Sequence, residues 1–205
     1  MTQPFWNKTA DKYAAQPIAD EAAYQRKLAT TRSNLRPEMR VLEFACGTGT
    51  TALLHAPHVQ SVRAIDYSTR MIEIARGKAE AAGVTNVAFE VAAIEDLPES
   101  DGPYDVILGM SILHLLPDRH LVLRKVFELL PPGGRFFSST VCVGDLNPLV
   151  GSLVLPAMRM FGAAPAVSPF TAAELVADIE ASGFAVEEQW RPARDKAVFV
   201  VARKP

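Results

Sequence analysis

The feature that most restricts this chain is a glycine loop followed, one strand later, by an acid. Val41-Leu-Glu-Phe-Ala-Cys-Gly-Thr-Gly-Thr-Thr-Ala52 runs from a short apolar stretch into a segment of helical character. Apolar residues return at 62–65 and end on Asp66, 17 residues after Gly49. Gly47 and Gly49 permit a tight turn and close approach of a ligand to the backbone. A helix opening there offers free N–H groups to an anion. A carboxylate at the end of the next strand is placed to accept hydrogen bonds from both hydroxyls of a ribose. Strand, loop, helix and strand in this order make a βαβ unit, and such units build parallel sheets covered on both faces.

The rest of the chain continues that alternation. Strands are expected at 39–44, 62–66, 87–92, 104–110 and 135–141, with helices at 50–56, 68–82 and 118–130. Ser68 and Gly83 are natural start and stop signals for the second of these helices. Thr171, with Glu174 at capping-box spacing, opens a helix over 171–182. Two closely spaced strands, 184–190 and 197–202, fit an antiparallel hairpin closing one sheet edge. The first 35 residues are polar and helical in character, and Pro17 should divide them into two helices. The expected fold is therefore α/β: a doubly wound, seven-stranded sheet, parallel except for one strand of the edge hairpin. All 205 residues fit one domain, with N-terminal helices over 1–35 and a cap or substrate segment over 142–170.

Composition narrows the partners. Hydrophobic residues make up 49% and charged residues 21%, with a net charge of -2, so the concentrated cationic surface that phosphate backbones require is lacking. No nucleic-acid partner is expected. Cys46 and Cys142 are too few for a disulfide framework or a four-cysteine zinc site, and no metal is expected. No apolar run reaches membrane-spanning length, and the first residues lack the basic start and apolar core of a secretory signal. The expectation is a cytoplasmic monomer or homodimer acting on a small molecule.

The glycine pattern alone does not choose a ligand, because Gly47-x-Gly49-x-x-Ala52 with Asp66 also satisfies the dinucleotide fingerprint. Glu43 at the strand end points elsewhere: an acid there suits a ligand's ammonium group and has no use for a pyrophosphate. The chain also lacks a separate catalytic domain and a Tyr-x-x-x-Lys pair. Five stretches in order carry a resemblance: VLEFACGTG at 41–49, AIDYS at 64–68, VAAIEDLP at 91–98, YDVILGMSILHLLPD at 104–118 and LLPPGGRFF at 129–137. Together they resemble the class I S-adenosylmethionine-dependent methyltransferases over nearly the whole chain. The resemblance implies a Rossmann-like methyltransferase fold, with S-adenosylmethionine as cofactor and methyl transfer as the activity. The readings set against it are a nicotinamide-dependent oxidoreductase and a non-catalytic S-adenosylmethionine-binding module.

The resemblance also implies roles. Glu43, Ala45 and Gly47, within the loop that Gly49 closes, would surround the methionine part of the cofactor. Ala45 replaces the family's first glycine and is expected to fit the turn. Asp66 would hold the ribose, with Tyr67 and Met71 near the adenine. Ile94 would lie under the adenine and offer its N–H. Ala93 stands where an aspartate is usual, so the contact to the adenine amine would be missing or supplied by Glu95 or Asp96. Gly109 and Met110 would bring a backbone carbonyl to the cofactor ammonium, and Tyr13 would close over its carboxylate. His114, just past the fourth strand, is the candidate general base, whereas His55 and His58 are expected to face solvent and His120 to lie on a helix surface. Leu149, Leu153, Leu155, Met158, Met160 and Phe161 give 146–170 an apolar character that suggests an apolar or aromatic acceptor. Asp145 and Arg159 are the only charges between Val141 and Ala173.

Overall fold

A computed structural model describes residues 3–146 and 166–205. Its centre is a seven-stranded sheet of β1 (Arg40–Phe44), β2 (Ser61–Asp66), β3 (Val87–Val91), β4 (Val106–Met110), β5 (Arg135–Thr140), β6 (Ala185–Trp190) and β7 (Val198–Arg203). The order across the sheet is β3-β2-β1-β4-β5-β7-β6. β1 to β5 are mutually parallel, and β7 runs antiparallel to both β5 and β6. The hairpin expectation holds with one refinement: its antiparallel strand is inserted between β5 and β6, and β6 forms the edge.

The sheet separates two cores, because successive side chains point to opposite faces. Leu42 and Phe44 of β1 join Ile65, Ile107 and Phe136 against α5 (Arg119–Leu129) and α6 (Ala172–Ala181). Val41 faces the other way, with Val62, Leu108 and Phe137, toward α3 (Thr50–His55) and α4 (Thr69–Ala81). Burying a side chain such as Phe44 stabilises the fold by about 1.5–3 kcal/mol. Phe44 stacks on Phe136 with ring centroids 6.3 Å apart, and the space it fills exists only because residue 109 has no side chain. A Cβ at Gly109 would lie 2.5 Å from Phe44 Cζ.

The helix starts follow the local signals. Ser68 Oγ accepts the Met71 N–H, and Asp118 accepts that of Leu121. Thr171 and Glu174 form a complete capping box. The fourth strand begins at Val106 rather than 104, because the Asp105 carboxylate instead accepts the Arg40 N–H at 2.8 Å.

The N-terminal region forms two helices, α1 (Gln3–Ala14) and α2 (Glu21–Arg32), the second capped by Asp20 on the Ala23 N–H. α1 docks on the start of α4. Asn7 Oδ1 accepts from Ser68 Oγ at 2.7 Å and from the Arg70 N–H at 3.2 Å. Arg70 also pairs with Asp11 at 2.6 Å, an exposed pair that orients more than it stabilises. α2 crosses toward the sheet's other edge, where Arg26 stacks 3.9 Å over Trp190 of β6.

Most of the expected cap, including Met158 and Phe161, lies outside the described residues. Its flanks pack inward: Cys142, Val143 and Phe170 are buried, and Asp145 holds Arg191 at 2.6 Å and the Ala172 N–H at 3.1 Å. No helix among the described residues is long and apolar enough to cross a membrane.

Candidate cofactor and acceptor site

β1 ends in a turn that its hydrogen bonds define closely. The Cys46 N–H donates to Ile65 O and the Gly49 N–H to Cys46 O, both at 3.0 Å. Three residues of this turn are left-handed: Ala45 at φ 52, Gly47 at φ 53 and Gly49 at φ 76. Asp66 ties the turn to β2. One carboxylate oxygen accepts the Gly47 N–H and the other the Ser68 N–H, each at 2.9 Å. Ionised carboxylate oxygens have capacity for further donors, so holding the loop leaves room to accept ligand hydroxyls. Burial pushes the Asp66 carboxyl above its ordinary range, and the Ser68 and Gly47 N–H groups oppose that rise.

Ala45 takes its place in the turn, in the left-handed region. A non-glycine residue in the left-handed region pays about 1–2 kcal/mol. Ala45→Gly should therefore stabilise the protein by about 0.5–1 kcal/mol after the added freedom of the unfolded chain is subtracted. For a chain of this size that is a rise of roughly 1–4 °C in Tm, readable by thermal melting. An unchanged or lower Tm would mean that the methyl's packing outweighs the backbone strain.

Glu43 is the electrostatic centre of the site. It is 2% exposed, and its Oε2 has no hydrogen-bond partner among the described residues. Burial, reinforced by the nearby Asp66 charge, pushes its carboxyl up to about 8. An orphaned buried carboxylate is costly unless a cation meets it. The Tyr13 ring lies over the loop, 3.6 Å from where a Gly47 Cβ would sit. Burial and the Asp66 and Glu43 charges raise its phenol.

These groups open on a cavity of about 480 Å³ at the carboxyl ends of the parallel strands, roofed by α1 and α2. Tyr13, Glu43, Ala45, Gly47 and Met110 line it, five of the residues expected at the cofactor. Asp66 and Tyr67 stand at the end of β2. Tyr67 has a buried hydroxyl with no partner among the described residues, and its carbonyl accepts from Gln3 Nε2 at 2.7 Å. Met71 is buried in the first turn of α4. Ile94, buried, and Glu95, half-buried, form a short turn beyond β3. Because β3, β2, β1 and β4 are neighbours in this order, these residues line up along one edge of the sheet.

Asp66, Tyr67, Met71, Ile94 and Glu95 are not on the wall of this cavity, and neither are Gly49, Gly109 and His114. Gly49 and Gly109 are sites of close packing rather than cavity wall. His114 lies on a turn after β4, off the cavity wall, where its carbonyl accepts the Ser168 N–H at 2.8 Å. Its Nδ1 is buried without a partner among the described residues, and burial lowers its pKa to about 4.

The sequence reading of His55 as solvent-facing is overturned. It is 1% exposed and lines the cavity, because α3 is short and buries both Ala52 and His55, one helical turn apart. Both ring nitrogens lack partners among the described residues, and burial lowers its pKa to about 4. The spacing from Ala52 was the available signal. On α2, Leu28 lines the cavity together with Asp20, Ala23, Tyr24, Lys27 and Thr31, which the sequence did not single out, at helical spacing. Lys78 braces the loop by donating to Thr48 Oγ1 at 2.8 Å and Thr50 Oγ1 at 3.1 Å.

Comparison with known proteins agrees with this geometry. The family model described as "Methyltransferase domain" matches residues 35–198. The uncharacterized methyltransferase YcgJ of Bacillus subtilis is 33% identical over 133 residues, 65% of this chain and 52% of that protein. Its crystal structure superposes with a TM-score of 0.73 at 22% identity, covering 88% of this chain and 98% of that one. A ubiquinone biosynthesis O-methyltransferase of Xylella fastidiosa is 37% identical over 103 residues, 50% of this chain and 42% of that protein. The N-methyltransferase NodS of Bradyrhizobium japonicum, solved with S-adenosyl-L-homocysteine, has a TM-score of 0.69 at 15% identity and 98% coverage of both chains. At these identities the superpositions show the fold alone. The sequence matches span about half the length of the curated relatives.

Proposed function

This chain belongs to the class I S-adenosylmethionine-dependent methyltransferases, and on that premise we propose that it transfers the cofactor's methyl group to a small molecule held beneath α1 and α2. The observation that carries the reading is Glu43, a buried acid at the mouth of a glycine loop whose Oε2 has no partner among the described residues. It fits the cofactor's ammonium group. Asp66 takes the ribose hydroxyls while keeping its hold on Gly47 and Ser68. Tyr67, Met71, Ile94 and Glu95 form the adenine end, and Tyr13 closes the methionine end. When bound, the cofactor supplies an electrophilic methyl whose departing thioether is neutral. The protein's part is alignment and exclusion of water, and proximity can carry most of the acceleration.

The acceptor reading rests on Ala14, Pro17, Ile18, Leu28 and Met110 on the cavity wall and on the nearly uncharged run that follows β5 in the sequence. They favour a small molecule with an apolar or aromatic body. A relative named for ubiquinone biosynthesis is consistent with that class. His114, off the wall of that cavity, is the proposed base for an acceptor that must lose a proton and that reaches the turn beyond β4. With a pKa near 4 it is neutral at physiological pH, as a base must be, but it is a weak one. His114→Ala should lower turnover by about 10²-fold at most, with S-adenosylhomocysteine affinity unchanged. Full activity in that variant would assign the histidine to packing.

The deciding experiment is calorimetry with S-adenosylhomocysteine and NAD in parallel, followed by a methyl-donor turnover screen of small acceptors. S-adenosylhomocysteine should bind and raise the Tm. Asp66→Ala should weaken that binding by about 1.5–3 kcal/mol, the scale of charged hydrogen bonds. Binding of NAD alone would overturn the reading, and cofactor binding without turnover on any acceptor would favour a non-catalytic module.

A further inference from the structure

The α2 side of the cavity wall carries several polar groups. A helix that turns Asp20, Tyr24, Lys27 and Thr31 inward leaves polar groups where apolar ones would cost less. Asp20 is occupied as the helix cap, accepting the Ala23 N–H at 2.9 Å. The Tyr24 hydroxyl shares a hydrogen bond with Thr51 Oγ1 at 3.2 Å. Thr31 is fully buried, and its Oγ1 has no partner among the described residues. Lys27 is half-buried on the wall. Its ammonium donates to Ser139 Oγ at 2.8 Å, which leaves further N–H groups unused.

Lys27 also differs from the other cations around it. Arg26 has Glu188 at 3.8 Å and Arg70 has Asp11 at 2.6 Å, and Lys78 is spent on the glycine loop. Among the described residues no carboxylate lies within ion-pair distance of the Lys27 ammonium. Asp20 acts on it only at longer range, and burial lowers its pKa. Its position is fixed by the sheet. Ser139 pairs with Met110 in the β4–β5 register, and the Ser111 N–H donates to Ser139 O at 2.6 Å. The ammonium therefore stands over the ends of β4 and β5, beyond Met110 and on the side of the cavity away from Asp66 and the adenine end.

We infer that Lys27 is a specificity-determining residue that holds a carboxylate on the methyl acceptor, so that the acceptor is a small organic acid with an apolar body. The inference rests on the methyltransferase reading and narrows it. An unpaired ammonium on a concave, partly apolar wall is a site where an anion gains a charge-assisted hydrogen bond at low desolvation cost, because the lysine is already partly stripped of water. The same group cannot reward a neutral amide equally.

The test uses the whole chain saturated with S-adenosylhomocysteine and titrated with two matched pairs, benzoate against benzamide and octanoate against octanamide. At least one acid should bind about 10- to 100-fold more tightly than its amide, the range of a charge-assisted hydrogen bond. Lys27→Met should remove that preference, and Lys27→Arg should retain most of it. S-adenosylhomocysteine affinity, measured on each variant, reports both folding and cofactor binding. Equal binding of acid and amide, no binding of either acid at millimolar concentration, or a preference that survives Lys27→Met would each overturn the assignment. A loss of S-adenosylhomocysteine affinity in Lys27→Met that Lys27→Arg restores would overturn it too, by identifying the cofactor's own carboxylate as the partner. Failure of the wild-type chain to bind S-adenosylhomocysteine would instead overturn the methyltransferase reading.

Discussion

The affinity for S-adenosylhomocysteine should rise steeply with pH between about 5 and 8, by up to tenfold per pH unit, because Glu43 must lose a proton to receive the ligand's ammonium group. In the free protein its carboxyl is raised from 4.5 to about 8. The sign follows from which form each state prefers. A carboxyl raised in the folded state contributes stability that is fully present below its unfolded value and is lost as pH rises through about 8. The free protein is thus destabilised by ionising Glu43, whereas the complex with a cation is stabilised by it. Ligand binding near pH 7 should therefore release about one proton, which calorimetry in buffers of different ionisation enthalpy counts directly. Across the window the affinity should change by about 10²- to 10³-fold, and Glu43→Gln should flatten the dependence. A flat profile in the wild type with no proton released would remove Glu43 from the cofactor's ammonium.

Gly49→Ala should be among the most damaging single-methyl changes in the fold. The position has φ 76, and an added Cβ would lie 2.6 Å from two atoms of the Phe89 ring and 2.8 Å from Ala75 Cβ. Left-handed strain of about 1–2 kcal/mol combines with overpacking of about 1–3 kcal/mol. The expected loss is about 2–5 kcal/mol, a Tm fall of roughly 5–20 °C. Gly83→Ala provides the control. That glycine has φ 65 and nothing within 4 Å of the added Cβ, so it carries the backbone strain alone and should cost only about 1–2 kcal/mol. Denaturant unfolding of the two variants separates the contributions. Equal losses would show that α3 shifts to admit the methyl and that Gly49 is needed only for its backbone.

The local features of the site were legible in the residues themselves. The alternation of apolar stretches with capped helices specifies parallel strands, because each covered face must find a helix. Gly47, Gly49 and Asp66 at their spacing specify the turn and its tie to β2. Even the break at Pro17 and the Thr171 cap depend on no residue far away, which is why the spacing alone revealed them. What the tertiary structure decided is where charge and burial meet across long sequence distances. Lys27 reaches Ser139, 112 residues away. His55 reads as a polar end of a short helix until α2 is laid across it. Glu43 reads as an acid at a strand end until burial takes its water away and the nearby Asp66 charge adds to the rise of its carboxyl. Gly109 is expected near the cofactor from the sequence, and the fold adds the Phe44 ring packed where its side chain would sit. Local backbone preferences are written within a few residues, whereas desolvation and ion pairing depend on which distant elements share a cavity, and only packing determines that.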